Sequence, residues 1–135
     1  MAADPGTAPR PIHSTAAPEP VGPYNQAVVA GGLLFCSGQI ALDPHSGLLV
    51  GEGSVEAETR QVLANLQAVL AAAGCGPERV VRTTVFLTDL GDFAAVNAIY
   101  AETFGAGVSP ARACVQVAAL PKGARVEIDA IALLS

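Results

Sequence analysis

Residues 54–73, SVEAETRQVLANLQAVLAAA, and residues 79–87, RVVRTTVFL, carry the reading on which the fold rests. In the first stretch Val55, Val62, Leu66, Val69 and Ala73 recur at three-, four- and seven-residue spacings, joined on the same side by Leu63 and Leu70, which predicts an amphipathic helix. Ser54 is placed to cap its first turn, Glu56 and Glu58 stand where the helix dipole favours anions, and Gly74 sits where a left-handed residue closes a helix. The second stretch is rich in β-branched residues and predicts a strand. Upstream, residues 26–30 and 33–37 flank Gly31-Gly32 as a hairpin, and the turn signal Asp43-Pro44-His45-Ser46-Gly47 leads into a short strand over 48–50. Downstream, Phe93, Val96, Ile99, Tyr100 and Thr103 form the stripe of a second helix over 92–104, and strands are expected over 111–118 and 125–133. The order β-β-β-α-β-α-β-β describes an α+β domain in which two helices cover one face of a sheet of about six strands.

The uncovered face needs a partner. Hydrophobic residues make up 51% of the 135 residues and charged residues only 14%, which excludes disorder and points to a face hidden in a closed ring of identical subunits. Net charge is −5 and the seven basic residues are scattered, so a phosphate-tracking nucleic-acid surface is disfavoured. Cys36, Cys75 and Cys114 cannot form a closed disulfide set and have no metal-ligand spacing, which predicts a reducing, cytoplasmic setting and no metal. No signal peptide or membrane-spanning run is evident, so a soluble, unsecreted protein with no membrane partner is expected. Residues 1–11 hold three prolines and no apolar periodicity and read as a flexible tail, with a single domain over 12–135.

Side chains alternate along a strand, so Arg112, Cys114 and Gln116 share one face and Ala111, Ala113, Val115 and Val117 the other. With the apolar set assigned to the helices, Arg112 falls on the uncovered face together with Glu127 and Asp129. One reading is a structural ion pair at a subunit interface. The other is a hydrolytic site: the guanidinium fork suits a substrate carboxylate, and Glu127 can polarise a water aimed at an electrophilic carbon. His13 and His45 lie in irregular segments and read as solvated loop residues, while Cys114 reads as packing ahead of a nucleophile.

Seven motifs then stand in the order and spacing of the RidA (YjgF-type) reactive-intermediate deaminases, a family also known under the L-PSP endoribonuclease name. They are Gly22-Pro23-Tyr24-Asn25-Gln26-Ala27, Ser37-Gly38-Gln39-Ile40, Asn65-Leu66-Gln67-Ala68, Val85-Phe86-Leu87-Thr88-Asp89, Phe93-Ala94-Ala95-Val96-Asn97, Pro110-Ala111-Arg112 and Val126-Glu127-Ile128. The chain resembles that family over nearly its whole length. The resemblance implies a chorismate-mutase-like fold, a homotrimer with active sites between subunits, and cofactor-free hydrolysis of 2-imino acids released by pyridoxal-phosphate-dependent dehydratases to 2-keto acids and ammonia. It implies Arg112 as carboxylate anchor, Glu127 as the group that positions water, and Tyr24, Ser37, Gly38, Asn97 and Cys114 as cleft positions. Ala113, where a hydroxyl residue is common, and Asp129, in place of a second glutamate, depart from the family pattern. Two other readings compete: a non-catalytic trimer that binds 2-keto acids or a partner protein through Arg112, and an endoribonuclease, which the acidic charge and the absence of a poised histidine pair disfavour.

Overall fold

The computed structural model describes residues 8–134. Its strands are β1 (Arg10–Ile12), β2 (Ala27–Ala30), β3 (Leu33–Gln39), β4 (Val80–Leu87), β5 (Ala111–Gln116) and β6 (Val126–Leu133), and its helices are α1 (Val55–Ala72) and α2 (Phe93–Phe104). The strands form one mixed sheet in the order β1-β2-β3-β6-β4-β5; every pair is antiparallel except β4 with β5.

Local chemistry explains the elements. The Ser54 side chain accepts from the Ala57 amide at 3.1 Å, capping α1. The helix closes in a Schellman arrangement: Cys75 N–H donates to Leu70 C=O at 3.1 Å and Gly74, at φ +81°, donates to Ala71 C=O at 3.0 Å. Gly31 and Gly32, at φ +59° and +77°, turn β2 into β3. Asp89 accepts from the Gly91 amide at 2.7 Å and starts a short 3-10 turn that runs into α2.

Both helices pack on one face of the sheet, as expected. The core between them contains Leu34, Leu66, Leu70, Val85, Leu87, Val126 and Ile128, all at most 1% exposed. Burying seven such side chains contributes on the order of 10–20 kcal/mol before conformational entropy is subtracted. On the other face Phe35, Val115 and Leu133 are each more than two-fifths exposed.

Three expectations are corrected. Residues 48–50 form no strand; Leu49 makes a single bridge to Leu42, flanked by hydrogen bonds from Asp43 N–H to Leu48 C=O and from Val50 N–H to Ala41 C=O, and the Asp43 side chain holds the amides of His45 and Ser46 in the turn between them. The sixth strand is β1, which begins at Arg10, inside the stretch read as a tail; residues 1–7 of that stretch lie outside the described residues. Finally, Arg112 and Glu127 do not share a face. In parallel register Arg112 and Cys114 sit beside Thr83 and Val85, which are buried under the helices, whereas Glu127 sits opposite Phe86 on the far face. The β5 residues that point to the helices are the polar ones, because β5 is an edge strand over which α2 lays its polar and aromatic side.

Candidate active site

The sequence-predicted residues resolve into two half-sites. One is centred on Glu127. Alternation along β6 turns Val126, Ile128 and Ala130 into the core and Glu127 outward. Its neighbour β3 shifts register between Cys36 and Gln39, and this irregularity brings Gly38 against the carboxylate. A Cβ at Gly38 would stand 2.7 Å from Glu127 Cδ and 2.9 Å from Cγ, so only glycine leaves the carboxylate its place. Burial, and secondarily the charge of Asp129, raises the Glu127 carboxyl above the usual carboxylate range. Asp129 itself is turned to the backbone, accepting from the Thr84 amide at 2.9 Å.

The Glu127 carboxylate lines a recess of about 60 Å³ with Pro18, Val21, Tyr24, Gly38 and Pro121. Tyr24 is half exposed, and its hydroxyl accepts from the Val21 amide at 3.2 Å, so the same residue lines the recess and pins its wall. Ser37 is tied down: its hydroxyl donates to Asn25 C=O at 2.6 Å. Two buried amides that sequence reasoning assigned no role build this wall. Gln26 accepts from the Ser14 amide at 2.6 Å and donates to the carbonyls of Ser14 at 3.0 Å and Pro18 at 2.9 Å, stapling the N-terminal segment to β2. Asn65, on the core side of α1, donates to Ile40 C=O at 3.1 Å and Leu42 C=O at 2.9 Å, holding the chain beyond β3. The available signal was a carboxamide inside an apolar stripe, which a core tolerates only when its hydrogen bonds are met.

The second half-site is centred on Arg112. Its Nη1 donates to Asn97 Oδ1 at 2.7 Å, and its guanidinium carbon lies 4.8 Å from the ring centroid of Tyr100 and 5.5 Å from that of Phe93, all three on α2. Tyr100 in turn shares a 2.7 Å hydrogen bond with the buried Thr83 hydroxyl of β4. Arg112 opens onto a cleft of about 420 Å³ bounded by Tyr100, Phe104, Ser109 and Pro110. Cys114 packs against the core, and burial outweighs the Arg112 charge and raises its thiol, which suits packing rather than nucleophilic work. The structure thus brings together Arg112, Asn97 and Cys114 in one place and Glu127, Tyr24 and Gly38 in another, with Ser37 beside the latter; β4 lies between their strands β5 and β6.

Chemically, the first half-site offers a desolvated carboxyl that can exchange a proton, and the second a braced cation suited to an anion. Among the described residues no group of three or more histidine, cysteine or acidic side chains could hold a metal, and no helix is long and apolar enough to cross a membrane. His13 pairs with Glu19 at 2.8 Å, and Glu19 lies on the wall of the Glu127 recess.

Comparison with known proteins places these features. Residues 14–134 match the family model described as Endoribonuclease L-PSP. The chain is 60% identical over 123 residues to the RutC family protein slr0709 of Synechocystis, covering 91% of this chain and 95% of that one. It is 54% identical over 122 residues to the mouse 2-iminobutanoate/2-iminopropanoate deaminase, covering 90% of this chain and 89% of that one. Among solved structures, the Escherichia coli YjgF gene product superposes with a TM-score of 0.87 at 42% identity, over 93% of this chain and 99% of that one. Sequence and overall fold therefore agree, and the chain belongs to the Endoribonuclease L-PSP family, the RidA/YjgF group that its motifs resemble.

Proposed function

We propose that this protein is an imine deaminase that hydrolyses 2-iminobutanoate, 2-iminopropanoate and their enamine forms to 2-keto acids and ammonia, as a homotrimer with its active sites between subunits. The observation that carries this reading is the division of the site: Arg112 on the helix side of an edge strand, and the buried Glu127 carboxyl on the opposite face. One chain cannot apply both to one small molecule. A neighbouring copy seated on the apolar far face covers Phe35, Val115 and Leu133 and brings its own half-site to the other chain's complementary one. The deaminase name of the mouse relative supports the substrate class.

In this reading Arg112 binds the substrate carboxylate and orients the imine carbon. An imine protonated on nitrogen is already electrophilic, so what the protein adds is a positioned water and a place for its proton. Glu127, held by burial as a weaker acid than usual, takes that proton as the water adds, returns it to the carbinolamine nitrogen, and takes the hydroxyl proton as the C–N bond breaks to leave ketone and ammonia. Tyr24 and Gly38 shape the recess in which this happens, and Asn97 holds Arg112.

The test couples a threonine dehydratase to the protein and follows 2-keto acid appearance with semicarbazide as trap. Wild type accelerates product formation and Arg112→Ala does not. Failure of the wild-type trimer to accelerate it, with 2-oxobutanoate binding intact, would leave a ligand-binding trimer in place of an enzyme. Sedimentation of the protein alone tests the assembly, for which three copies are expected.

A further inference from the structure

Arg112 is gripped more closely than an ion pair requires, and the grip extends into the core. Tyr100 faces the guanidinium at 4.8 Å with its ring and reaches the Thr83 hydroxyl at 2.7 Å with its own. Thr83 is fully buried on β4, so the phenol is referenced to the centre of the sheet and not to a mobile surface group. Phe104 packs against the same ring at a centroid distance of 4.7 Å, tilted by 44°. Asn97 then fixes one end of the guanidinium, Nη1.

We propose that Tyr100 is a positioning residue for Arg112: its ring face, hooked to Thr83, sets the plane in which the guanidinium meets the substrate carboxylate. The inference rests on the reading of Arg112 as carboxylate anchor. A free arginine side chain carries rotamer entropy that ligand binding would otherwise have to overcome. The ring removes that loss before the ligand arrives, and a ring face attracts the cation whether or not a carboxylate is present. The hydroxyl orients the ring and does not touch the substrate. Tyr100 therefore acts on affinity, while the proton work stays with Glu127.

The experiment compares Tyr100→Met, which keeps apolar bulk without a ring face, with Tyr100→Phe and Thr83→Val. Each trimer is assayed with the dehydratase couple and titrated with 2-oxobutanoate by calorimetry. Tyr100→Met is expected to raise both KM and the Kd for 2-oxobutanoate about fivefold, the scale of one partly desolvated cation–π contact, with kcat held within about twofold. Tyr100→Phe keeps the face and recovers most of the affinity. Thr83→Val, a near-isosteric change that releases the ring, raises the Kd about twofold. Wild-type binding in Tyr100→Met, or a Tyr100→Phe as impaired as Tyr100→Met, would overturn the proposal. Should Tyr100→Met fail to fold, an unaltered Kd in Thr83→Val overturns it equally. Arg112→Ala separates the two levels: if it still binds 2-oxobutanoate, the anchor reading fails, whereas loss of binding there with wild-type affinity in Tyr100→Met refutes the positioning role alone.

Discussion

The Arg112 and Glu127 regions are built on opposite principles. Arg112 lies on an edge strand beside an open cleft of about 420 Å³, and aromatic faces and an amide hold its charge without removing it from water. Glu127 lies on a central strand in a recess of about 60 Å³, where the backbone of Gly38 closes against it and burial raises its proton affinity. A binding group needs rigidity and an accessible charge; a proton-transfer group needs a perturbed one. On the proposed roles, the contrast accounts for one region being aromatic and the other being walled by proline, glycine and backbone.

The contrast breaks most sharply at Glu127. Glu127→Gln is expected to lower kcat by about 10²–10⁴-fold, the usual weight of a general base, while calorimetry finds 2-oxobutanoate binding little changed. Arg112→Lys should do the reverse, weakening 2-oxobutanoate binding by about tenfold or more because a point charge cannot replace the fork, with the residual kcat retaining its pH profile. Gly38→Ala probes the wall itself: displacing the carboxylate should cost about tenfold in kcat with Arg112-dependent affinity intact, and a larger effect on Kd than on kcat would contradict the division.

Stability separates the regions further. Removing the buried carboxamide in Gln26→Ala leaves the Ser14 amide without its partner and should lower stability by about 1–3 kcal/mol in denaturant titration. The smallest effect is linked to pH. Glu127 holds its proton more tightly in the folded protein than in the unfolded chain. Between the ordinary carboxylate range and its raised value, the folded state binds more protons, so stability falls as pH rises through that window; below it the group contributes nothing. Glu127→Gln should therefore be slightly more stable than wild type near neutral pH, and the two should converge in acid. The same raised value sets the acid limb of kcat, which rises with pH as Glu127 loses its proton.

The helices and five of the six strands were legible because their signals are local. The stripe of α1, the Ser54 cap and Gly74 lie within one segment, and so does the Gly31-Gly32 hairpin. β1 was obscured by Pro11, since three residues offer no periodicity and gain their place by pairing with Val28 and its neighbours on β2. The strand expected over 48–50 carried apolar residues, but its pairing stops at the single bridge between Leu49 and Leu42. Strand alternation placed Arg112, Cys114 and Gln116 together correctly, yet which side of the sheet they occupy depended on the parallel register with β4.

By itself the sequence determined both helices, five of the six strands, the α+β class, the family and the two residues, Arg112 and Glu127, on which the proposed chemistry turns. Periodicity, caps and motifs are properties of neighbouring residues and survive without a fold. Tertiary structure alone decided that these two residues face opposite ways, that Gly38 leaves room for a carboxylate, and that Thr83, Tyr100 and Asn97 converge on one arginine. Such contacts join residues distant in the chain, and only strand register and helix packing, which close those distances, specify them.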